Sequence, residues 1–396
     1  MDLNLSPAEE AFRREFSDWL GPNLPAEHTA GRLRGLPEEQ TLEIRRAWEQ
    51  KLGEGGWLGV SWPKEFGGRG ATAMEHVIYL QELLHADAPQ SVNMLGLDLV
   101  GPTIVDVGTD EQKRRFLPPM LRGEVVWCQG FSEPDAGSDL AGLQTRAERD
   151  GDDWVINGQK IWSSGAQYAD WCALLVRTDP DAPKHKGISF FLLDMTAPGI
   201  TVRPIKQISG ESDFNEIFFE NVRMPNENIV GELNGGWAVA NRLLAYERGV
   251  IAMSMLMGYQ RQWEELREYA RTTHRNGRPL VEDPRVRERL AQSYTDIQLM
   301  RLANLRYITR YMRGLPPGAE TSYMKLYWAP TEQGLADLSL ALAGPAALAM
   351  PGSPRPVAGG DWITKYLFSR VATVYGGTQD IQRNIIAERI FGLPRG

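Results

Sequence analysis

The segment DDWVINGQKIWSS, residues 152–164, is where the chain stops reading as helix. It sets Asn157-Gly158 between two β-prone runs. Asn-Gly suits a two-residue hairpin turn because both residues accept positive φ, so a hairpin is expected at Asn157-Gly158. The runs CALLVRT (172–178), GISFFLLDM (187–195), GITVRPI (199–205) and NEIFFENVRM (215–224) follow, with turn residues between them. A middle β domain is therefore expected over residues 126–234.

On both sides the apolar residues recur at helical spacing. SPAEEAFRREFSDWLG opens with Ser6 as cap, Pro7 in the first turn and Glu9 closing a capping box, then places Phe12, Phe16 and Leu20 on one face. Ile44, Trp48 and Leu52 repeat that spacing before Gly53, and Thr109 stands three residues ahead of Gln112. Residues 1–125 are expected to form a helical domain. After the β region, Asp283-Pro284 opens a long segment that sets Val286, Leu290, Tyr294 and Ile297 on one side. Residues 235–396 are expected to be helical again, with PGSPRPVAGGD (351–361) as a loop between helices. The order is α, β, α, an α+β chain without internal repeats.

Composition narrows the function. A formal charge of −8 disfavours a nucleic-acid partner, which is held mainly by excess Lys and Arg. Cys128 and Cys172 lie beside large apolar residues and make no spaced metal or redox motif, so buried inert thiols are expected. No two of the five histidines stand at metal-ligand spacing. With no apolar run long enough to span a bilayer and an acidic opening MDLNLSPAEE, a cytoplasmic protein is expected.

Three segments carry a family likeness: GFSEPDAGSDLAGL (130–143), VINGQKIWSSGAQYAD (155–170) and VYGGTQDIQRNII (374–386). Together with GTDEQKRRFLP and VRMPNENIVGE, in this order and spacing, they resemble the acyl-CoA dehydrogenase family over essentially the whole chain. The resemblance implies an N-terminal helical domain, a β-barrel-like middle and a C-terminal four-helix bundle. FAD would lie between sheet and bundle, completed by a neighbouring subunit. It implies that Phe131 and Ser132 touch the isoalloxazine ring, that Trp162 packs on it and that Ser164 hydrogen-bonds its polar edge where many relatives carry threonine. Thr378 would also bind the cofactor, while Ser138, Arg248 and Tyr375 would serve the CoA substrate. The sequence agrees on one point of its own: no G-x-G-x-x-G lies between a strand and a helix, so a Rossmann-type pocket is not indicated.

Oxidising an acyl thioester at its α and β carbons needs a carboxylate to take the α-proton, and donors on the thioester oxygen. Many relatives carry that carboxylate in Y-E-G-T, whereas this chain reads Tyr375-Gly376-Gly377-Thr378. The isovaleryl and long-chain types place the base in a run ending Glu-Arg on the first bundle helix. NRLLAYERGV supplies Glu247 and Arg248 there. The resemblance thus implies Glu247 as base and the backbone N–H of Gly376 as a donor to the thioester oxygen, giving a trans-2-enoyl-CoA with hydride transfer to FAD.

Two cofactor-gripping elements depart from the family pattern. The usual Arg-x-x-Phe-Gly appears as THRNG, with Thr273 and Asn276 at the altered positions, and the usual Gln-x-x-Gly-Gly appears as LALAGPAAL around Gly344. Either Arg271 or Arg275 substitutes, in a homotetramer, or a homologous chain supplies the missing half in an α2β2 assembly. Some actinobacterial steroid and dicarboxylate (pimeloyl-CoA) degradation enzymes resemble the second arrangement. An electron-transfer flavoprotein is the expected acceptor. A flavin oxidase or monooxygenase of the same fold, or a non-catalytic partner subunit, are the competing functions.

Overall fold

The computed structural model describes residues 4–33, 36–313, 315 and 321–394, the side chains of 247–254, 311 and 321 lying outside that description. Helix α1 (Pro7–Asn23) starts as its sequence requires: the Ser6 hydroxyl accepts from Glu9 N–H while the Glu9 carboxylate accepts from Ser6 N–H. Its buried stripe is Phe12, Phe16 and Leu20, each worth about 2 kcal/mol of apolar burial. A short α2 (Ala30–Leu33) leads to α3 (Glu38–Glu54), which buries Trp48 and Leu52 and half-buries Ile44. Helix α4 (Ala73–His85) carries a second capping box, Thr72 with Glu75. A π-helical turn, Gly96–Val100, runs directly into α5 (Gly101–Val107), and α6 (Asp110–Leu121) begins at the Thr109–Gln112 capping box.

The strands are β1 (Trp127–Gly130), β2 (Arg146–Asp150), β3 (Asp153–Ser164), β4 (Trp171–Arg177), β5 (Ile188–Asp194), β6 (Ile200–Ile205), β7 (Phe214–Pro225) and β8 (Ile229–Val230). Among the described residues they form one sheet in the order β6-β7-β3-β2-β4-β5-β8, with β1 parallel to β4. Strands β4 and β5 are nearly all apolar because both faces are covered. Ala173, Leu175, Phe190 and Leu192 join the core of the N-terminal helices, and Cys172, Leu174, Phe191 and Leu193 join a second core on the other face. Cys128 and Cys172 are fully buried register partners across β1 and β4, both as free thiols.

Asn157-Gly158 is not a hairpin turn. Strand β3 runs through it, and the reversal between β2 and β3 is Gly151-Asp152, closed by the Asp150–Asp153 pair, with Gly151 at φ 64°. At Gly158 the strand adopts φ 147° and a register irregularity against β7; a Cβ there would come within 2.7 Å of the Thr145 backbone. Close approach to a neighbouring strand explains the glycine, as it does for glycines inside strands generally.

After the sheet come α7 (Gly236–Thr272), a small hairpin β9 (His274–Arg275) and β10 (Arg278–Pro279), α8 (Pro284–Met312), α9 (Thr321–Ala343), α10 (Asp361–Ser369) and α11 (Gln379–Arg389). Helix α7 has 37 residues, a span of about 55 Å at the usual rise. Its first turns put Val239, Ala240 and Leu243 into the core shared with β5, and its later turns put Leu256, Tyr259, Leu266 and Ala270 into the bundle core. On α8, Leu290 and Ile297 are buried and Val286 is partly buried, but Tyr294 is exposed, its ring against Trp263 on the rim of the bundle.

Candidate active site between sheet and bundle

The loop after β1 is tied to β3 by a buried ion pair. Lys160 Nζ lies 2.7 Å from Glu133 Oε1 and donates to the Phe131 carbonyl at 3.0 Å, while Glu133 also accepts from the backbone N–H groups of Gln144 and Thr145. Burial brings the Lys160 ammonium down to about 8, with the Glu133 carboxylate pulling the other way. Burial alone would raise Glu133, but Lys160 and the backbone donors hold it below the usual carboxylate range. Ile161 N–H donates to the Ser132 carbonyl at 2.9 Å, so the GFSE and KIWSS segments lie side by side.

Strand β3 buries Trp154, Ile156 and Lys160 on one side, and strict alternation would send Trp162 inward as well. A bulge between Lys160 and Ser163 reverses the parity: Trp162 sits at φ 62°, and Ser163 is buried in register with Asn215. Trp162 is consequently 56 % exposed, with Ser164 on the same open side. A large aromatic residue at positive φ, held out of the core by a bulge, is the kind of strain that collects at ligand sites.

An aromatic path joins this tryptophan to the bundle. Trp162 meets Phe214 edge-on at 6.2 Å, Phe214 stacks with Phe368 at 6.4 Å, and Phe368 lies 6.3 Å from Tyr375. Beneath Tyr375, the buried Lys325 ammonium stands 4.4 Å over its ring and 3.9 Å over that of Trp328, and donates to the Ala372 carbonyl at 2.6 Å. Glu332, one turn further along α9 from Trp328, takes a 2.7 Å bond from the Tyr259 hydroxyl, and burial raises its carboxyl. These contacts fix the end of the VYGGT turn.

Gly376 and Gly377 both adopt positive φ, 65° and 86°. A Cβ on Gly377 would meet Gln382 Nε2 at 2.5 Å, and that amide donates to the Gly376 carbonyl at 3.2 Å. The glycines thus break the chain between α10 and α11, and Thr378 caps α11 by accepting from Ile381 N–H.

The structure therefore brings Ser132, Trp162 and Ser164 together on the sheet and connects them to Tyr375, Gly376 and Thr378 through Phe214 and Phe368. The Phe131 side chain is buried against Phe190 in the core, which leaves its backbone as the part available to a ligand. Ser138 is exposed on the same loop, next to the Asp139–Lys184 ion pair. Glu247 and Arg248 fall within α7, but their side chains lie outside the described residues. Phe214, Phe368, Lys160 and Lys325 were not singled out from sequence; a lysine at an inward position of an alternating strand was the available signal for Lys160.

The ring end of this site suits a flat aromatic cofactor: an exposed tryptophan face, a hydroxyl beside it and a left-handed glycine turn across from it. The altered THRNG segment packs against the end of α9. Asn276-Gly277 makes the β9–β10 hairpin turn, with φ 56° and 78°, and Arg275 Nη2 donates to the Leu342 carbonyl at 3.0 Å at the end of α9, beside Gly344. Arg271 is exposed near Glu268. Among the described residues no cluster of His, Cys, Asp and Glu suits a metal ion, and no described helix is long and apolar enough to cross a membrane.

Comparison with known proteins covers the whole chain. Models for the N-terminal, middle and C-terminal domains of acyl-CoA dehydrogenase match residues 6–124, 128–222 and 234–391. The chain is 41 % identical over 390 residues to the acyl-CoA dehydrogenase IpdE1 of Mycobacterium tuberculosis, covering 98 % of each. Among solved structures it is similar to the Tcur3481-Tcur3483 steroid ACAD, with TM-score 0.87 and 35 % identity over all of both chains. It is equally similar to a chain of the ChsE4-ChsE5 complex of Mycobacterium tuberculosis, with TM-score 0.86 and 34 % identity over all of both chains. With the three-part fold in place, these matches establish the chain as a member of the acyl-CoA dehydrogenase family and an FAD-dependent enzyme.

Proposed function

We propose that the chain converts an acyl-CoA thioester to its trans-2-enoyl-CoA, with Glu247 taking the α-proton and the Gly376 backbone N–H holding the thioester oxygen. The observation that supports this most directly is the path Trp162–Phe214–Phe368–Tyr375, which ties the sheet's exposed aromatic wall to the turn that lacks a carboxylate. When bound, FAD would supply the acceptor for the hydride released from the β-carbon. The chain's own part is to hold and desolvate. Trp162, Ser164 and Thr378 with the backbone of Phe131 and Ser132 would hold the flavin, while Ser138, Arg248 and Tyr375 would hold the CoA thioester. A donor at Gly376 lowers the α-proton's pKa by stabilising enolate charge, and an acyl chain closing over Glu247 strips water from the carboxylate and raises its basicity.

The bare backbone at Gly376 also leaves room beside the reacting carbons. Because the Tcur3481-Tcur3483 relative, 35 % identical, is a steroid ACAD, we extend to this chain a bulky, steroid-derived acyl group. An electron-transfer flavoprotein would then reoxidise the enzyme. For the assembly we favour α2β2: Arg275 is committed to the end of α9, Thr273 and Asn276 offer no guanidinium, and the ChsE4-ChsE5 relative is a complex of two chains.

Anaerobic flavin bleaching tests the core of this reading. Glu247→Gln is expected to keep the bound-flavin spectrum and to slow reduction about 10²–10⁴-fold, the range of a positioned base. Reduction at the parental rate would remove Glu247 from the mechanism.

A further inference from the structure

Between α4, the π-helical turn and α7 lies a second polar feature that the reaction as described does not use. Two contacts fix how these elements sit along α7. Asp106, at the end of α5, accepts from the Tyr246 hydroxyl at 2.6 Å, and Asp87, just after α4, lies 2.5 Å from Arg261 Nη1. The stretch of α7 between Tyr246 and Arg261, which includes position 247, therefore runs past the π-helical turn and α4.

On this wall Asp98 of the π-helical turn faces His76 of α4, with His76 Nε2 4.0 Å from Asp98 Oδ1. The imidazole is only 8 % exposed, and among the described residues neither of its ring nitrogens is hydrogen-bonded. The Asp98 carboxyl likewise receives no hydrogen bond from the described residues. Its side chain keeps 22 % of its surface open. A 4.0 Å gap is too long for a direct bond. It is short enough for both groups to share a third. π-helical turns recur at functional sites because the extra residue re-aims a side chain, here Asp98.

We infer that Asp98 and His76 form the far wall of the acyl recess and hydrogen-bond a neutral oxygen, a keto or hydroxyl group, carried by the acyl moiety away from its thioester. This deepens the proposed function and rests on it. A carboxylate at that place is disfavoured. Glu49 is buried close by, accepting from the Ser91 hydroxyl and Val92 N–H, and its negative charge already acts on Asp98; a further anion would add repulsion. A plain hydrocarbon would leave two enclosed polar groups without partners, which is how such sites reject analogues lacking the oxygen.

The test uses the FAD-loaded holoenzyme, with its partner chain if one is required, and three CoA thioesters of matched size: one hydrocarbon, one with a distal keto or hydroxyl group, one with a distal carboxylate. The parent is expected to favour the oxygenated thioester over the hydrocarbon by tenfold or more in kcat/KM and to disfavour the carboxylate. Asp98→Ala is expected to collapse that ratio towards one, and Asp98→Asn, which keeps volume and a hydrogen-bonding amide, to restore most of it; unchanged flavin content shows that both variants fold. An unchanged ratio in Asp98→Ala, or a parent without preference, overturns the inference and leaves a water-filled recess in its place while the dehydrogenase reading stands. A parent that bleaches with none of the three thioesters overturns the dehydrogenase reading itself.

Discussion

Trp162 holds a conformation that costs about 1–3 kcal/mol for a residue with a Cβ, and it does so with over half of its surface exposed, so packing does not compensate. Glycine there relieves the strain and loses little burial. Trp162→Gly is expected to leave the melting temperature of the flavin-free protein unchanged or slightly raised, and to weaken FAD binding at least tenfold, read by flavin titration. A large drop in melting temperature with FAD binding intact would make the tryptophan structural. Asp98 offers a second check at this scale. Burial, helped by the charge of Glu49, raises its carboxyl to about 7, so the folded state binds more protons than the unfolded chain between about 4 and 7. Its contribution is therefore fully present at low pH and is lost as pH rises through 7. His76, lowered to about 4 by burial, acts in the opposite sense up to its ordinary value of 6.5. Asp98→Asn removes the first effect and keeps the second. Its melting temperature relative to the parent should climb between pH 5 and pH 7.5, and a flat difference would contradict the assigned shift.

At the scale of elements, capping and periodicity carried the reading well, because Ser6–Glu9 and Thr109–Gln112 are local and satisfy their own backbone donors. The Asn-Gly signal shows where locality ends. The dipeptide at 276–277 makes a hairpin with both residues at positive φ, while the one at 157–158 lies within β3 because the Thr145 backbone crosses against Gly158. No sequence window contains that neighbour. Trp162 escaped for the same reason: its outward turn depends on a bulge set by pairing with β7, fifty residues further along the chain. THRNG, read as a damaged cofactor grip, also supports α9, where Arg275 meets the carbonyls at the helix's C-terminal end, a contact no sequence window contains. A cation at that end is worth about 0.3–1 kcal/mol. Arg275→Gln is expected to lower the melting temperature by a few degrees and leave flavin content as it was, and loss of FAD without loss of stability would return Arg275 to the cofactor.

Across the whole molecule, one helix couples the two halves of the site, since α7 belongs to the core against β5 at one end and to the bundle core at the other. The α, β, α order was legible from periodicity alone. The completeness of the site was not, because on the proposed α2β2 reading the flavin's phosphate end depends on a second chain. On the proposed reading the ring end is furnished by this chain, with Trp162, Ser164 and Thr378, but Thr273 and Asn276 provide neither charge nor aromatic surface, and Arg275 already serves α9. A cofactor gripped at one end only should exchange. The chain expressed alone is therefore expected to carry clearly less than one FAD per polypeptide, and co-expression with a homologous chain that retains the arginine and phenylalanine is expected to give a stable α2β2 particle with fewer flavins than subunits. Native mass and the ratio of flavin to protein absorbance measure both. A homotetramer of this chain alone, fully loaded with FAD and active on acyl-CoA, would show that the grip is assembled from residues within it and would remove the need for a second subunit.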